Sequence, residues 1–569
     1  MNRIQIANML PVGQHTYTFK VNIDETKCTG CGICAIECPS RIIDMTPHRF
    51  SNCATLCSKN CLAENDVRAA MFRVGNGGSL EDAWKSITAV NPFPACIGRA
   101  CPHPCEDVCA RGHLDESVNL HEFERFVGDY GIEHKLKHET RAEKKPQKVT
   151  IIGSGPAGLS CAYQLAKLGY GVTVYDEREK PGGMLRYGGP AYRIPKDVLD
   201  AEIDSILSLG IDVRCGVKIG RDILLNNLKT EYDAIYIAIG AQKCMKLGVP
   251  RDDLAIPSLD FLRSAVEGTI KNPGKKVVVI GGGNVAADCA RTASRAGAGH
   301  VTMVCVESRY DMPAYEEDIA ESLEEGIEIL PGWGVKSVSA GKIVLRKCLS
   351  VFDGQGKFAP VYDDDETEVL AFDTLISAIG QEPDTRFLEK DGGVKTYANG
   401  LVTINDEEDG LTNVLDIYAG GDVTAHSRKG TLAGCVFMGN NAARTIAERL
   451  SCQGQAEISS SVPEVDEIDQ QKYNTCIPRN DTPVREARAR IADLRSEVVP
   501  TMEKQLLYKE IERCLVCATA IAEYTGKQNA KKFNWACHNC HNCVSVCPEN
   551  AINFEYATVD RESKFVFSD

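Results

Sequence analysis

The chain has 569 residues, of which 43% are hydrophobic and 25% charged, so it can form several hydrophobic cores and is neither disordered nor fibrous. Its formal net charge of −15 argues against a nucleic-acid partner, because binding to a phosphate backbone depends mostly on Lys and Arg. No run approaches the roughly eighteen apolar residues of a membrane span, and the first residues lack the apolar run of a signal peptide, which predicts a cytoplasmic protein.

The 26 cysteines are unevenly spread, and most of them lie in short blocks. Near each end of the chain, four follow the spacing Cys-x2-Cys-x2-Cys-x3-Cys-Pro, which is typical of bacterial ferredoxins. The two runs consist of Cys28, Cys31, Cys34 and Cys38, and of Cys537, Cys540, Cys543 and Cys547. Soft thiolate ligands at this spacing predict [4Fe-4S] clusters rather than zinc, which more often uses two separated cysteine pairs.

In a two-cluster ferredoxin the fourth cysteine of each run binds the other cluster, so one run alone cannot complete its site. The simplest arrangement is a ferredoxin-like unit divided between residues 1–48 and 513–569, with Cys547 completing the first ligand set and Cys38 the second. The alternative is two separate single-cluster modules, in which Cys514 or Cys517 supplies a missing ligand near the C-terminal run.

A second group of cysteines lies in residues 49–132. It begins with Cys53-x3-Cys57-x3-Cys61 and continues with a Cys-Ile-Gly-Arg-Ala-Cys-Pro-His-Pro-Cys-Glu-Asp-Val-Cys segment that ends at Cys109. This region resembles the helical iron–sulfur domain of the glutamate synthase small-subunit family, which also occurs in dihydropyrimidine dehydrogenase. The resemblance implies two [4Fe-4S] clusters beside a flavin.

The resemblance also implies which residues bind these two clusters. One ligand set would consist of Cys61, Cys101, Cys105 and Glu124. The other would contain Cys53, Cys57 and Cys109. Members of the family usually open with Cys-x2-Cys-x4-Cys-x3-Cys, whereas three cysteines are present here. One ligand of the second cluster is therefore unaccounted for, and Cys96 is a candidate.

Residues 148–152 read as a buried strand that enters a glycine turn, followed by an amphipathic helix and a second strand that ends at Asp176. The turn contains Gly153, Gly155 and Gly158. Such glycines let the backbone approach a pyrophosphate at the helix N-terminus, while the acidic residue accepts hydrogen bonds from a ribose. This order of strand, turn, helix, strand and acid predicts a dinucleotide site.

The segments that follow resemble the two-dinucleotide-domain flavoproteins. Gly183 lies in a Pro-Gly-Gly-Met-Leu motif and Asp422 in a Tyr-Ala-Gly-Gly-Asp motif, which in that family contact the flavin. The resemblance implies an FAD-binding domain formed by residues 148–245 and 371–450, with Asp422 at the ribityl chain.

A second βαβ pattern, in residues 246–370, lies between the two flavin segments. The resemblance implies that this inserted domain binds the nicotinamide cofactor. Its first strand leads into Gly281, Gly283 and Asn284, and its next strand ends at Glu307. A carboxylate there accepts a hydrogen bond from a free 2′-hydroxyl and repels a 2′-phosphate, which predicts NAD(H) rather than NADP(H). Arg309 lies close enough in sequence to pair with a phosphate instead.

Residues 451–512 are interpreted as a linker followed by a solvated helix, because Arg and Glu occur at helical spacing before Cys514. The predicted fold class is thus multidomain α/β and α+β, with two Rossmann-like domains, a helical iron–sulfur domain and ferredoxin-like modules. No catalytic nucleophile–base pair is predicted.

Together these features predict an FAD- and iron–sulfur-containing NAD(H) oxidoreductase subunit that carries electrons between NADH and a protein partner. The partner would be ferredoxin or another subunit of a hetero-oligomeric complex. One alternative is a glutamate-synthase-type small subunit that feeds a separate amidotransferase. The other is an electron-transfer or scaffold subunit whose flavin does not react with nicotinamide.

Overall fold

The computed structural model describes residues 19–24, 27–38, 43–47, 55–139, 142–270, 272–428, 430–451, 470–515, 517, 520–524, 542–556, 558–559 and 565–566. Three predicted ligands, Cys53, Cys537 and Cys540, lie outside this set. Within the described segments, no helix combines the length and apolar character needed to cross a lipid bilayer.

The N-terminal segment and the cysteine-rich region that follows it are mostly helical. Their elements are β1 (Phe19–Ile23), α1 (Ile33–Ile36), β2 (Ile43–Pro47), α2 (Leu56–Asn60), α3 (Val67–Gly75), α4 (Leu80–Thr88), α5 (Pro94–Ala100), α6 (Pro104–Asp107) and α7 (Leu120–Glu133). Ser79 and Asp82 form a capping box at the start of α4, and Asn119 caps α7. The predicted helical domain is confirmed.

The first dinucleotide-binding fold follows directly. Its first part contains β3 (Lys148–Ile152), α8 (Pro156–Lys167), β4 (Gly171–Asp176), α9 (Gly183–Tyr187), α10 (Lys196–Leu207), β5 (Asp212–Cys215), α11 (Leu225–Glu231), β6 (Ala234–Ile237) and β7 (Lys243–Cys244). The second fold is inserted after it and contains β8 (Ile256–Pro257), α12 (Ser258–Val266), β9 (Lys276–Ile280), α13 (Asn284–Arg295), β10 (His300–Cys305), α14 (Glu316–Glu324), β11 (Glu328–Pro331), β12 (Trp333–Ser339), β13 (Lys342–Phe352), β14 (Phe358–Ala371) and β15 (Thr374–Ser377).

The chain then returns to the first fold and continues into its C-terminal segment. The remaining elements are β16 (Gln381–Glu382), β17 (Ile417–Ala419), α15 (Leu432–Ser451), α16 (Ala487–Ile491), α17 (Lys504–Arg513), β18 (Ala520–Tyr524), α18 (Asn542–Ser545), β19 (Ile552–Tyr556), β20 (Thr558–Val559) and β21 (Phe565–Val566).

Two parallel sheets confirm the two Rossmann-like domains. The first has the strand order β17-β6-β3-β4-β5 and the second β11-β10-β9-β15-β8, with every neighbouring pair parallel. The predicted boundary at residue 370 is wrong, because Thr374–Ser377 pairs with Lys276–Ile280 and so completes the second sheet. An antiparallel sheet of β12, β13 and β14 adjoins the second domain.

The solvated helix predicted before Cys514 is only partly correct, because α17 ends directly before Cys514 but is buried on one face. Residues 470–515 instead cross the surfaces of the preceding domains, and the helical part is limited to α16, α17 and a short turn. Arg490, Glu510 and Arg513 are buried here. Arg490 forms an ion pair with Glu325, and Arg513 forms ion pairs with Asp115 and Glu510. Charged residues at helical spacing usually face water, but these side chains pair with other parts of the protein instead.

The two ends of the chain meet. Phe19–Ile23 pairs antiparallel with Ile552–Tyr556, and Ile43–Pro47 pairs antiparallel with Ala520–Tyr524. Helices α1 and α18, which carry cysteines of the two terminal runs, are in contact. The segments that carry the two terminal cysteine runs therefore pack together.

A buried carboxylate joins the first dinucleotide fold to the helical domain. Glu202, in α10, accepts hydrogen bonds from the backbone N–H groups of Ala95 at 2.6 Å and Cys96 at 3.1 Å, at the start of α5. It thereby satisfies donors that the helix itself cannot satisfy.

We expect Glu202→Ala to lower the free energy of unfolding by about 1–3 kcal/mol, because it leaves two buried donors without an acceptor. Glu202→Gln, which keeps one acceptor oxygen, should lose less. Urea unfolding measures both values, and Asp204→Ala, an exposed change on the same helix, is the control. Equal stability of Glu202→Ala and Asp204→Ala would contradict the prediction.

Candidate functional site

The first glycine turn joins β3 to α8. Gly153 has a φ of +107°, and a Cβ on it would lie 2.3 Å from the carbonyl oxygen of Ala238, so this position requires glycine. A Cβ on Gly158 would lie 1.9 Å from the Gly153 carbonyl oxygen. Gly155 is the N-cap of α8, and no described side chain caps the helix there. The helix N–H groups are therefore available to a pyrophosphate.

Asp176 ends β4 beside this turn and is largely buried. Its Oδ2 accepts hydrogen bonds from the backbone N–H of Ser154 at 2.7 Å and from the Ser154 hydroxyl at 2.5 Å. A carboxylate held at this edge of the sheet is suited to the ribose end of a dinucleotide. The glycine cradle and the acid together fit FAD.

The two further flavin motifs pack against the same turn. A Cβ on Gly183 would lie 2.7 Å from Gly155 Cα, and one on Gly421 would lie 2.9 Å from a side chain in the first turn of α8. Asp422 follows, and its Oδ1 accepts a hydrogen bond from Gly430 N at 2.8 Å. The structure thus brings the three predicted flavin segments to the N-terminal end of one helix.

The second glycine turn joins β9 to α13 and has the same form. Gly281 has a φ of +142°, and a Cβ on it would lie 2.3 Å from the Ala378 carbonyl oxygen. Gly283 is the N-cap of α13, and Asn284 Oδ1 accepts a hydrogen bond from Tyr315 N at 2.8 Å. This helix N-terminus fits the pyrophosphate of a second dinucleotide.

Glu307 follows β10 and faces that turn. A Cβ on Gly282 would lie 2.8 Å from Glu307 Oε2, so the carboxylate occupies the space beside the glycines. Arg309 points its guanidinium to Glu316, with nitrogen–oxygen distances of 2.6 and 3.2 Å. The acid predicted to select the nucleotide is therefore at the turn, whereas the nearby arginine is engaged by another carboxylate.

A cavity in the helical domain is lined by one of the predicted cluster ligand sets. Its lining includes Cys57, Cys61, Cys101, Cys105 and Glu124. Glu124 is buried, and its Oε1 accepts hydrogen bonds at 2.9 Å from the side-chain amides of Asn65 and Asn91. The two asparagines hold the carboxylate at the cavity wall; the sequence analysis missed them, because they lie far from Glu124 along the chain.

The chemistry of these side chains fits iron–sulfur clusters. Burial raises the pKa of Cys57 and of Cys61 to about 12, so a bound cationic group is needed to keep them as thiolates. Zinc would hold its thiolates about 3.8 Å apart, from tetrahedral geometry and a 2.3 Å bond. No three sulfur atoms of the described cysteines lie within 4.8 Å of one another, which is too open for a single ion.

In the described part of the helical domain, three side chains other than cysteines also lie close enough together to bind a metal ion. His103, Glu106 and His121 bring their ligand atoms within 4.8 Å of one another. Arg479 pairs with Glu106 at 2.8 Å, so a protein cation already balances this carboxylate.

The cysteines of the terminal runs share one apolar cluster. Cys31 and Cys34 are buried, and Cys38, Cys543 and Cys547 pack against the same cluster. Electrostatic interactions link Cys547 to Cys31 and Cys34, and Cys28 to the same two thiols. The position of Cys547 is the one that the divided-ferredoxin hypothesis expects, whereas Cys537 and Cys540 lie outside the described residues.

An arginine that the sequence analysis missed joins the flavin segment to the cluster cavity. Arg428, in the loop after Asp422, donates hydrogen bonds to the Leu62 carbonyl at 2.9 Å and to Glu64 at 3.1 Å, directly after Cys61. Ala433, in α15, lines the same cavity as Cys61. Nothing in the local sequence marks Arg428, since its partners are more than 360 residues away.

Comparison with protein families supports this division of the chain. Residues 147–445 match the pyridine nucleotide-disulphide oxidoreductase family, residues 43–136 match dihydropyrimidine dehydrogenase domain II with its 4Fe-4S cluster, and residues 21–44 match a 4Fe-4S binding domain.

Several curated relatives are similar to most of this chain. The NADP(+)-dependent formate dehydrogenase subunit beta of Moorella thermoacetica is 33% identical over 80% of this chain and 68% of its own length. The glutamate synthase [NADPH] small chain of Azospirillum brasilense is 30% identical over 66% of this chain and 83% of its own length. The NAD-dependent dihydropyrimidine dehydrogenase subunit PreT of Salmonella typhimurium is 31% identical, over 68% and 90%. The chain therefore belongs to the pyridine nucleotide-disulphide oxidoreductase family, joined to 4Fe-4S domains.

Proposed function

We propose that the chain is an NAD(H) oxidoreductase subunit that transfers electrons between NADH and a protein redox partner through FAD and several [4Fe-4S] clusters. The observation that carries the proposal is the contact between the flavin segment and the cluster cavity. Arg428 binds the backbone after Cys61, and Ala433 lines the cavity that contains Cys61 and Cys101. A flavin on the glycine cradle would therefore lie beside a cluster.

Each part of the chain has a defined task in this proposal. Gly153, Gly155 and Gly158 admit the pyrophosphate of FAD, and Asp176 orients its ribose. Bound FAD supplies the conversion between hydride transfer and single-electron transfer. The ligands of the flavin-side cluster are proposed to be Cys61, Cys101, Cys105 and Glu124. Asn65 and Asn91 orient the carboxylate, and the apolar walls of the cavity exclude water from the ligands.

The terminal unit is proposed to hold two further clusters. Cys28, Cys31, Cys34 and Cys547 would bind one, and Cys38, Cys537, Cys540 and Cys543 the other. The packing of Cys547 beside Cys31 and Cys34 supports the first set. This unit would exchange electrons with ferredoxin or another subunit of a hetero-oligomeric complex, as the word subunit in the names of two relatives suggests.

We propose that the nicotinamide site prefers NAD(H). Glu307 stands beside the glycine turn, where it would accept a hydrogen bond from the 2′-hydroxyl of NADH and repel the 2′-phosphate of NADPH. Arg309, the nearby cation, is paired with Glu316. The names of the relatives include both nucleotides, so the preference rests on Glu307 in this chain.

We expect Glu307→Arg to shift the ratio of kcat/KM for NADPH to that for NADH upward by roughly tenfold or more, which corresponds to about 1.4 kcal/mol. The cause is the exchange of a repulsive charge for an attractive one at the 2′ position. Steady-state reduction of an artificial acceptor measures the ratio. Asp365→Arg, the same charge change on exposed β14, should leave it unchanged, and an unchanged ratio in Glu307→Arg would contradict the prediction.

Anaerobic titration of the purified holoprotein with NADH tests the proposed function. The flavin absorbance should bleach first, and the broad cluster absorbance should follow. Absence of bleaching with both NADH and NADPH would refute the proposal and favour the scaffold alternative. Isolation in a stable complex with a large amidotransferase would instead favour the glutamate-synthase alternative.

A further inference from the structure

The cluster predicted on Cys53, Cys57 and Cys109 lacks a fourth ligand in the sequence, and Cys53 lies outside the described residues. Two other cysteines, Cys514 and Cys517, lie near Cys57 and Cys109. Helix α17 packs on α3, with Leu507 and Ile511 buried in the core of the helical domain. Cys514 ends this helix, is 8% exposed, and lies in the same apolar cluster as Cys57 and Cys109.

The four thiols lie near one another. Cys57, Cys109 and Cys514 belong to one apolar cluster, and Cys517 lies within electrostatic range of all three. Four cysteine side chains from three distant parts of the sequence are therefore brought together. Their sulfur atoms are too far apart for a single ion, as for the cysteines described above.

The backbone at Cys514, Leu515 and Cys517 is held by hydrogen bonds from neighbouring side chains. Lys472 Nζ donates a hydrogen bond to the Cys514 carbonyl at 3.3 Å, and Tyr473 Oη donates to the Leu515 carbonyl at 3.2 Å. Arg68 donates to the Cys517 carbonyl. With these carbonyl groups bound, Cys514, Leu515 and Cys517 have fixed positions relative to Cys57 and Cys109.

Arg68 also supplies charge balance. It is 1% exposed, lies beside Cys57 and Cys517, and shares its guanidinium with Asp66. A cluster with four thiolate ligands carries net negative charge, which a buried site must compensate. A buried arginine near two of the thiols offsets part of that charge, although Asp66 also pairs with it.

We propose that Cys57, Cys109, Cys514 and Cys517 bind a [4Fe-4S] cluster, so that Cys53 is not a ligand. This site lies between the other two groups of cysteines. On one side, the Cys517 thiol donates a weak hydrogen bond to the Cys31 carbonyl at 3.6 Å. On the other, Cys57 lines the cavity that holds Cys61 and Cys105. The ligand assignment is independent of the proposed function. Only the role of this cluster rests on that function, namely electron transfer between the terminal unit and the flavin-side cluster.

The test compares Cys514→Ser and Cys517→Ser with Cys53→Ser in the full chain, purified without oxygen. The matched control is Cys476→Ser, an exposed cysteine in the same C-terminal segment. The first two variants should lose about four iron and four sulfide per chain, with the FAD content retained, whereas Cys53→Ser and Cys476→Ser should keep the parent values. Parental iron in Cys517→Ser, or loss of four iron in Cys53→Ser, would overturn the proposal.

A second variant covers the case in which loss of the cluster prevents folding. Cys517→Asp keeps an anionic ligand, so it should retain iron but show an altered electron paramagnetic resonance signal after dithionite reduction. A spectrum identical to that of the parent would overturn the proposal. Because dithionite bypasses nicotinamide, these readouts decide the cluster site even if NADH proves unable to reduce the flavin.

Discussion

Gly158→Val is expected to abolish FAD binding. A Cβ at this position would lie 1.9 Å from the Gly153 carbonyl oxygen, far inside van der Waals contact, and the clashing group is backbone that cannot rotate away. The start of α8 must then move off β3, which displaces the N–H groups proposed to bind the pyrophosphate. We expect flavin per chain to fall at least tenfold.

Flavin released by acid, measured against protein concentration, checks this result. Gly171→Val introduces the same side chain in the next strand of the same sheet. There a Cβ would lie 3.8 Å from its nearest neighbours, the Gln147 carbonyl oxygen and the Lys148 side chain. This control should keep its flavin. Stoichiometric FAD in Gly158→Val would show that the glycine turn does not hold the cofactor.

Arg513→Met is expected to destabilise the protein by about 3–5 kcal/mol, because it leaves the Glu510 carboxylate buried without its cation. Both side chains are fully buried. Arg513 Nη2 also lies 3.1 Å from Asp115 Oδ1, and its Nε donates to the Ile477 carbonyl at 2.9 Å. Loss of this residue therefore releases the C-terminal segment from the helical domain.

Urea unfolding and limited proteolysis of the C-terminal segment measure this effect. Arg488→Met, an exposed arginine in α16, is the matched control and should change stability by less than about 0.5 kcal/mol. The double variant Arg513→Met with Glu510→Gln should recover part of the loss, because it removes both charges and keeps an oxygen acceptor for the backbone N–H groups that Glu510 binds. A single variant as stable as the control would contradict the assignment of a buried ion pair.

Local patterns predicted the dinucleotide folds well, since their strands, turns and acids are contiguous in sequence. The strand at 148–152 begins and ends where expected and Asp176 ends β4, whereas β10 ends at Cys305, two residues before Glu307. The boundary at residue 370 failed because β15 belongs to the inserted sheet through pairing with β9. Strand partners across an insertion leave no trace in local sequence.

The cluster region shows the same division between local and distant information. Cysteine spacing identified the terminal runs, but the burial of Arg513 and the return of Cys514 to Cys57 depend on contacts about 400 residues apart in the chain. Asn65, Asn91 and Arg428 are ordinary polar residues until the fold places them beside Glu124 and Cys61. Such contacts follow from tertiary packing alone.

The pairing of Phe19–Ile23 with Ile552–Tyr556 has a consequence for biosynthesis. During translation the strand Phe19–Ile23 has no partner until residues 552–556 have been made, and contacts of such large sequence separation form late and slowly. A cluster on the proposed ligands Cys28, Cys31, Cys34 and Cys547 would therefore be completed only after Cys547 has been made, and the early thiols would need protection from oxidation until then.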